Sequence, residues 1–571
     1  MKILTLHCDY IRFKPLKKAF KDAEELKDKD EKEIKEPLVV LTAIEKGDND
    51  QTMQELIESV KKTAKEVKAK NIVLYPYAHL SSNLADPKTA LEYLIEAEKV
   101  LGKFFNVTRA PFGHYKQFEL KVKGHPLSEL SKEFKSKISS LAGQLVEEDY
   151  DSHNLLKQIS RSKLDTSKLK ENDHRILGQK LDLFSFNEVS PGQPFWHDNG
   201  YFMFNKLVEY VRILLRKYNY KEISTPKLSD NKLWKISGHW GHYKDNMFIA
   251  KYEERDFGVK PMNCPACMLI YRTSSRSYKE LPLRFAEFGE VHRQELSGVL
   301  AGLFRVIRIT QDDAHIFCSK EQISDEISHM LEMIDTIYKK TFGFDYSFEL
   351  STRPEKFMGD KKDWDYTEKE LEKVLKLAKA KYKINKGDGA FYGPKIDLHI
   401  KDSLGREWQC ATIQLDMQMP KRFELSYIGE DNKEHTPFVI HRAILGSLER
   451  FIGILLEHLK GNLPLWLSPR QIRVINFTDR NKKSAEMLVE KLKSEIPELR
   501  IDTDFASDTV QSKIRNAELM KVNYIIVIGD KEEETKTIAV RKRGKNPEFG
   551  IKYEDLIRNL KEEISLPYKN L

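Results

Sequence analysis

The chain has 571 residues and a net charge of +8, with 96 basic residues against 88 acidic ones. This length exceeds what one hydrophobic core serves and predicts about three or four domains of ~150 residues each, while the mild basic excess suits a phosphate-rich partner or an ordinary surface equally well. No stretch approaches the ~18 uninterrupted apolar residues of a membrane span and the start lacks a secretory pattern, so we expect a cytoplasmic protein without a membrane segment.

The first part of the chain alternates strand and helix patterns. Short apolar runs at 3–6, 38–41 and 71–75 indicate strands, and a charged stretch near 51–70 indicates a helix. This alternation predicts a small α/β domain over residues 1–145. From about 131 to 169 the composition shifts to Lys, Ser, Asp and Glu, which favours a helical linker that we place at 146–190.

The rest of the chain divides near Pro464 and Pro469, where proline indicates a hinge. We expect a large domain over 191–466 and an α/β domain over 467–571. In the latter, strands at 474–477 and 524–528 alternate with helices near 481–495 and 553–564.

A helix is predicted to follow Ile440. The apolar residues Ile444, Leu448, Phe451 and Leu455 recur there at helical spacing. Gly446, Arg450 and Gly453 would share a different face of that helix. By itself this second face fits a tight packing seam with one salt-bridged arginine at least as well as a functional site.

Cys264, His315 and His441 are candidate metal ligands that lie far apart in sequence. Thiolate and imidazole suit zinc, and three protein ligands leave a fourth position open for a substrate. Taken singly, each is more often a buried residue with ordinary contacts. Cys264 and Cys267 have the spacing of half a zinc knuckle, but no second pair completes it. The five cysteines are too few and too scattered for a disulfide framework.

Gln311 and Asp313 precede His315 at alternate positions. On a strand, all three side chains would project from the same face. An acid beside a metal ligand could meet the amino or hydroxyl group of a bound amino acid.

Several motifs together resemble the threonyl-tRNA synthetases, a family of class II aminoacyl-tRNA synthetases. The ligands stand in Lys-Pro-Met-Asn-Cys-Pro (260–265), Gln-Asp-Asp-Ala-His (311–315) and His-Arg-Ala-Ile-Leu-Gly (441–446). Residues 285–306, with Arg293-Gln-Glu295, resemble class II motif 2, and Gly446 to Arg450 resemble motif 3. Pro226 looks like the proline of motif 1, which forms the dimer interface in this class.

The resemblance implies a multidomain α/β and α+β protein with an antiparallel class II catalytic sheet over 191–466. It also implies one zinc ion per subunit on Cys264, His315 and His441, and magnesium with ATP. The other roles that it implies are catalysis by Arg293, Arg450, Lys395 and Gln409, ATP binding by Arg293, Glu295, Arg305 and Arg450, and threonine binding by Asp313, Gln311, Tyr392, Gln414 and Met262.

The amino-terminal segment is similar to the archaeal-type editing domain of this family, which shares its fold with D-aminoacyl-tRNA deacylases. The matching stretches are 75–82, 109–116 and 123–129. The likeness implies that His79, Lys116 and Glu129 act on mischarged seryl-tRNA. Such a domain is expected because serine lacks only the methyl group of threonine. That difference is worth roughly 1–3 kcal/mol, which is too little for the zinc site alone to exclude serine, so mischarged tRNA must be hydrolysed afterwards.

The carboxy-terminal segment, 467–571, is similar to class II anticodon-binding domains. The likeness lies in residues 529–532 and 537–544, where Glu532 and Arg541 could read unstacked bases. A solvated basic strand edge, protected against aggregation, is the alternative.

The resemblance thus implies a homodimeric enzyme that activates L-threonine with ATP, transfers it to threonine tRNA and hydrolyses mischarged seryl-tRNA. One alternative is another class II synthetase, for proline, serine or histidine. The other is an inactive tRNA-binding regulatory paralogue.

Overall fold

The computed structural model describes residues 1–20, 23–26, 28, 30–134, 151–159, 167 and 169–569. Its contacts divide the chain into two compact units, Met1–Asp149 and Tyr150–Leu571. Part of the linker predicted at 146–190 lies outside the described residues. Within the described ranges, no helix is long and apolar enough to cross a membrane.

The first unit contains a seven-stranded sheet organised around one long strand. That strand spans 17 residues rather than the four predicted, because its first half pairs with the strands Pro37–Ala43 and Glu129–Glu133 and its second half with the strands Lys32–Lys35 and His114–Val122. The elements are β1 (Lys2–Lys18), β2 (Lys32–Lys35), β3 (Pro37–Ala43), α1 (Asp50–Glu66), β4 (Asn71–Pro76), α2 (Pro87–Leu101), β5 (Asn106–Arg109), β6 (His114–Val122) and β7 (Glu129–Glu133), with a 3-10 turn at Ala78–Leu80.

Both faces of β3 and β4 are buried in the first unit. Leu38, Val40 and Leu74 pack against the helices, whereas Val39 and Tyr75 belong to a second cluster on the opposite face. Strands covered on both sides read as continuous apolar runs, which is why β3 and β4 were predictable.

The second unit contains an eight-stranded, mainly antiparallel sheet. Its strands lie in the order Lys221–Glu222, Leu283–His292, Arg308–Cys318, Phe438–Ser447, Glu407–Asp416, Lys395–Lys401, Asp345–Ser351 and Tyr382–Asn385. This confirms the predicted antiparallel class II sheet. The elements up to residue 458 are α3 (Ser152–Ile159), α4 (His174–Lys180), β8 (Phe184–Ser185), β9 (Phe195–Trp196), α5 (Asp198–Lys217), β10 (Lys221–Glu222), β11 (Leu228–Asp230), α6 (Asn231–Ser237), α7 (His239–His242), β12 (Ile249–Tyr252), β13 (Arg255–Val259), α8 (Cys264–Arg272), β14 (Leu283–His292), β15 (Arg308–Cys318), α9 (Ile323–Ile334), β16 (Asp345–Ser351), α10 (Lys361–Leu377), β17 (Tyr382–Asn385), β18 (Lys395–Lys401), β19 (Glu407–Asp416), α11 (Gln418–Arg422), β20 (Tyr427–Ile428), β21 (Glu434–His435), β22 (Phe438–Ser447) and α12 (Leu448–His458).

The helix predicted after Ile440 begins later than expected. Residues 438–447 form strand β22, and α12 starts at Leu448 with the Ser447 side chain accepting the backbone N–H of Arg450. The prediction was therefore wrong for Ile444 and Gly446. A buried central strand is apolar on both faces, so its residues imitate helical spacing.

The carboxy-terminal part of the second unit is a five-stranded mixed sheet with helices, as predicted. Within the segment expected to be a hinge, Leu465 and Leu467 are fully buried. The elements are β23 (Ile472–Asn476), α13 (Lys482–Glu495), β24 (Ile501–Asp504), α14 (Val510–Leu519), β25 (Tyr524–Ile528), α15 (Asp530–Thr535), β26 (Ile538–Lys542), β27 (Glu548–Ile551) and α16 (Tyr553–Lys569).

Candidate active site

Strand register brings distant polar residues into one row across the large sheet. His315 on β15 lies opposite His441 on β22, which lies opposite Gln414 on β19. Gln414 in turn lies opposite Lys395 on β18. Directly paired residues project from the same face, so the row forms the floor of a site.

Cys264 completes a group of three candidate metal ligands with His315 and His441. Their ligand atoms all lie within 4.8 Å of one another, and the three residues are 2 to 5% exposed. Cys264 reaches the group from the first turn of α8, above the sheet. The Nε2 atom of His315 is buried and has no hydrogen-bond partner among the described residues. An unpaired buried nitrogen facing a thiol and a second imidazole fits a metal ion of the zinc type.

Asp416 holds His441 in place. Its Oδ2 atom lies 2.8 Å from Nε2 of His441, and its Oδ1 atom accepts the backbone N–H groups of Gln418 and Met419 at 2.6 and 3.0 Å. A carboxylate on one imidazole nitrogen leaves the other nitrogen free to bind a metal. No motif in the sequence had indicated this residue.

Burial sets the protonation of the cluster. It holds the pKa of His315 well below its usual range, with His441 adding to the effect, so the imidazole is neutral. Burial also raises the pKa of the Cys264 thiol, and Asp313 raises it further. A bound cation would oppose the effect on the thiol, because a metal favours the thiolate.

A pocket of about 270 Å³ lies over the cluster. Asp313 accepts a hydrogen bond from Asn263 at 3.1 Å, and Tyr392 donates one to Gln414 at 2.5 Å. Asp313 and Gln311 face the pocket as the alternation had predicted. The pocket is lined by Met262, Cys264, Arg293, Gln311, Asp313, His315, Tyr392, Cys410, Thr412, Gln414, His441, Arg442, Ala443 and Gly446.

Lys395 and Gln409 lie at the far side of this sheet face. The Lys395 ammonium donates to Asp397 at 2.7 Å and to Asp388 at 3.0 Å. A bulge in β19 lets Gln409 pair with His399 while Thr412 pairs with Asp397. Gln409 and Thr412 therefore project from the same face of the sheet although they are three residues apart, and Gln409 is exposed.

The predicted motif 2 is a strand, a loop and a strand, as expected. Arg293 directly follows β14 and lines the pocket. Arg305, near the end of the loop, is exposed, and its guanidinium donates to Glu295 at 3.0 Å. Arg305 and Glu295 thus lie together, and Arg293 lies nearer the metal ligands.

Arg450 lies in the first turn of α12, where helix geometry favours anions. Its Nε atom is buried without a partner among the described residues, and its guanidinium carbon lies 5.7 Å from the centre of the Trp408 ring. An arginine with free donors at a helix amino terminus suits a phosphate group.

Asp312 shapes the strand that leads to this helix. It is 2% exposed and accepts the backbone N–H groups of Ile444, Leu445 and Gly446 at 2.9 to 3.0 Å. Gly446 has a φ of 76°, and a Cβ atom there would lie 2.7 Å from the carbonyl oxygen of Cys410. The glycine is needed for this close approach.

Pro226, the predicted motif 1 proline, is exposed between β10 and β11. The preceding Thr225 donates its backbone N–H to Glu287 at 2.8 Å. Glu287 also pairs with Lys260 at 3.0 Å, with side-chain exposures of 7 and 1%. This buried ion pair ties the motif 1 segment to the Cys264 segment and was not predicted.

The predicted editing residues are only partly gathered in the first unit. The Lys116 ammonium lies 5.1 Å from the centre of the Tyr75 ring. His79 is exposed, and the centre of its ring lies 5.4 Å from that of Tyr77, whose ring in turn contacts Tyr75. Lys116 donates to two backbone carbonyls, and burial lowers its pKa to about 8. Glu129 pairs with Leu6 in β1, whereas Lys116 pairs with Pro15 farther along that strand.

The two predicted anticodon residues both have partners in the structure. Glu532 lies on the short helix α15 and accepts the backbone N–H of Gly529 at 3.1 Å. Arg541 on β26 pairs with Glu518 at 3.0 Å. These contacts use one carboxylate oxygen of Glu532 and one guanidinium nitrogen of Arg541.

Three family models match the chain. They are the archaea-specific editing domain of threonyl-tRNA synthetase over residues 1–134, the class II tRNA synthetase core domain (G, H, P, S and T) over 247–459, and the anticodon binding domain over 471–563.

Curated proteins and a solved structure are similar to the chain. The threonine-tRNA ligase of Desulforamulus reducens is 50% identical over 69% of this chain and 62% of its own length. That of Clostridium kluyveri is 46% identical over 75% of this chain and 66% of its own length. The chain thus spans less than two thirds of either relative. A crystal structure of the RNA binding domain of threonyl-tRNA synthetase from Cryptosporidium parvum is 41% identical, with a TM-score of 0.66, and the match covers 68% of this chain and 98% of that one.

Proposed function

The chain belongs to the threonyl-tRNA synthetase family, and on that premise we propose that it is a threonine-tRNA ligase. It activates L-threonine with ATP and magnesium, transfers it to threonine tRNA and hydrolyses mischarged seryl-tRNA. The observation that carries the proposal is the buried group Cys264, His315 and His441 beside the acid Asp313. Family membership disfavours a synthetase for proline, serine or histidine, and the complete ligand set disfavours an inactive paralogue.

In this proposal Cys264, His315 and His441 hold one zinc ion per subunit. The support is the unpaired Nε2 atom of His315 and the orientation of His441 by Asp416. When bound, zinc supplies an open coordination position that distinguishes the hydroxyl of threonine from the methyl of valine. Asp313 meets the ammonium group of the amino acid, and Tyr392 fixes the Gln414 amide beside it.

The cations around the pocket hold ATP. Arg293 and Arg450 grip phosphate oxygens, Arg305 assists them, and Glu295 meets the adenine. Fixed guanidinium groups stabilise the charge that moves to pyrophosphate when the adenylate forms. Lys395 is held by two carboxylates, so it is preorganised to hold substrate oxygens, and Gln409 lies farther along the same face.

Editing takes place in the amino-terminal domain. His79, Lys116 and Glu129 bind seryl-tRNA and orient a water molecule for hydrolysis of the ester. The support is the editing-domain match over 1–134 and the Lys116 ammonium against Tyr75. Glu532 and Arg541 contact the anticodon.

We assign editing to 1–145, a linker to 146–190, adenylation to 191–466 and anticodon binding to 467–571. The family models over 1–134, 247–459 and 471–563 support this division. The enzyme acts in the cytoplasm as a homodimer joined through motif 1. The exposed Pro226 segment supports that interface.

Amino-acid-dependent exchange of pyrophosphate into ATP tests the central claim. The zinc-loaded protein is supplied separately with threonine, serine, valine, proline and histidine. We expect strong exchange with threonine, weaker exchange with serine and none with valine, because a site built for a hydroxyl rejects its absence by about 10⁴-fold. Exchange with proline or histidine would overturn the substrate. No exchange with any of them, by a folded and metal-loaded protein, would favour the paralogue.

A further inference from the structure

A second group of buried ionisable residues lies apart from the Cys264 cluster. Ligand atoms of Asp173, His174 and Glu457 lie within 4.8 Å of one another. Both imidazole nitrogens of His174 are already occupied. Nδ1 lies 2.7 Å from Oε1 of Glu457, and Nε2 accepts the backbone N–H of Leu303 at 3.0 Å. The group therefore joins protein segments and does not offer a metal a free nitrogen.

His174 joins three elements that are distant in sequence. It is the first residue of α4, Glu457 lies in the last turn of α12, and Leu303 lies in the 3-10 turn Gly302–Phe304 of the motif 2 loop. A backbone N–H can only donate, so Nε2 is unprotonated and the ring proton lies on Nδ1, where it is donated to Glu457. His174 is 1% exposed, and its loss would leave the Leu303 N–H buried without an acceptor.

Packing holds the same turn from both sides. Gly302 has a φ of 55°, and a Cβ atom there would lie 2.3 Å from Nε2 of His174. A Cβ atom at Gly453 of α12 would lie 3.0 Å from the Phe304 ring. The centre of that ring lies 4.1 Å from that of His174 and 4.5 Å from that of Trp408. The turn is therefore closely packed on both sides, and small shifts of its backbone would cause steric overlap.

The turn directly precedes Arg305. On the other side of Arg305, Ile307 donates its backbone N–H to Gly192 at 2.7 Å, so the loop is anchored on both sides. We infer that His174 is a positioning residue for adenylation. It holds the turn Gly302–Phe304 in place and thereby orients Arg305 and its partner Glu295 toward ATP. This inference rests on the proposed function, because the ATP role of Arg305 does.

Two substitutions separate the two side-chain hydrogen bonds of His174. His174→Asn keeps a donor beside Glu457 but is too short to reach Leu303. His174→Gln places an acceptor oxygen near the position of Nε2. Tyr210→Phe is the matched control, because it removes one partly buried hydrogen bond of a buried side chain, 2.7 Å to Thr341, outside the loop.

Two measurements test the inference. One is the KM for ATP and for threonine in pyrophosphate exchange, and the other is hydrogen exchange of the peptide that covers the turn. We expect His174→Asn to raise the ATP KM about five- to tenfold, which corresponds to the loss of one buried hydrogen bond. The same substitution should speed hydrogen exchange in the peptide that covers the turn. The threonine KM stays constant. His174→Gln restores the ATP KM to within about twofold of the original value, and Tyr210→Phe changes neither KM.

A double-mutant cycle with Arg305→Ala sharpens the test. If His174 acts through Arg305, adding His174→Asn to Arg305→Ala changes the ATP KM little. Additive effects, equal rises in both KM values, or unchanged hydrogen exchange in His174→Asn would overturn the inference. An unsubstituted protein without exchange activity would overturn the proposed function and the ATP role with it. Hydrogen exchange would then still decide whether His174 seats the turn.

Discussion

Replacing Asp416 by asparagine should weaken metal binding without removing any ligand. Oδ1 of Asp416 accepts two backbone N–H groups, so the carbonyl oxygen of an asparagine must take that position. Its amide nitrogen would then face Nε2 of His441, which now lies 2.8 Å from a carboxylate oxygen. Two donors would oppose each other unless His441 moved its proton to Nδ1, the nitrogen that must bind the metal.

The expected loss of affinity is about 10- to 100-fold, or roughly 1.4–2.8 kcal/mol. Competition with a chromophoric chelator measures the zinc dissociation constant. Glu326→Gln is the matched control, because this carboxylate is 3% exposed and pairs with Arg284, outside the metal cluster. A zinc affinity within about twofold of the original in Asp416→Asn would refute the reasoning, because the change of tautomer alone is expected to weaken zinc binding about 10- to 100-fold. An equal loss in Glu326→Gln would do so too.

Other substitutions probe the pocket, the buried ion pair and the editing site. Tyr392→Phe should raise the threonine KM about fivefold through the lost hydrogen bond to Gln414 and leave the ATP KM unchanged; a larger effect on ATP would contradict the pocket assignment. Glu287→Gln should lower the free energy of unfolding by about 3–5 kcal/mol in urea titrations because it strands the buried Lys260, and a loss under about 1 kcal/mol would show that the pair is dispensable. Seryl-tRNA hydrolysis, corrected for the uncatalysed reaction, should fall as the pH rises through about 8, where the lowered pKa of Lys116 removes its positive charge. Lys116→Arg stays charged at that pH and should not show this decline, so the same decline in that variant would exclude Lys116 as its source.

Much of the fold was predictable from local patterns, and the exceptions have physical causes. Strands β3, β4 and β25 are continuous apolar runs because both of their faces are covered. The same continuity explains the wrong helix prediction at Ile444, where a buried strand carries apolar residues at helical spacing. The hinge near Pro464 and Pro469 stays a prediction, because proline reports local backbone restriction, whereas the burial of Leu465 and Leu467 depends on distant partners.

The candidate ligands Cys264, His315 and His441 were predictable because their motifs are specific, but the residues that support them were not. Asp416 and Asp312 act through backbone N–H groups and a histidine brought close by strand pairing, and no spacing rule connects them. His174 lies within the predicted linker at 146–190, and only the fold places it against the motif 2 loop. Such partners become visible once sheet register and packing are known.

The row from His315 through His441 to Gln414 has a consequence for the order of events during folding. His315 and His441 become neighbours only when β15 pairs with β22 in one register, and a slip of one residue would turn one of the imidazoles to the opposite face. An unfolded chain therefore offers zinc no assembled site. In the proposed function, zinc could therefore be captured only after the central strands have paired, so zinc binding during refolding should lag behind the appearance of helices.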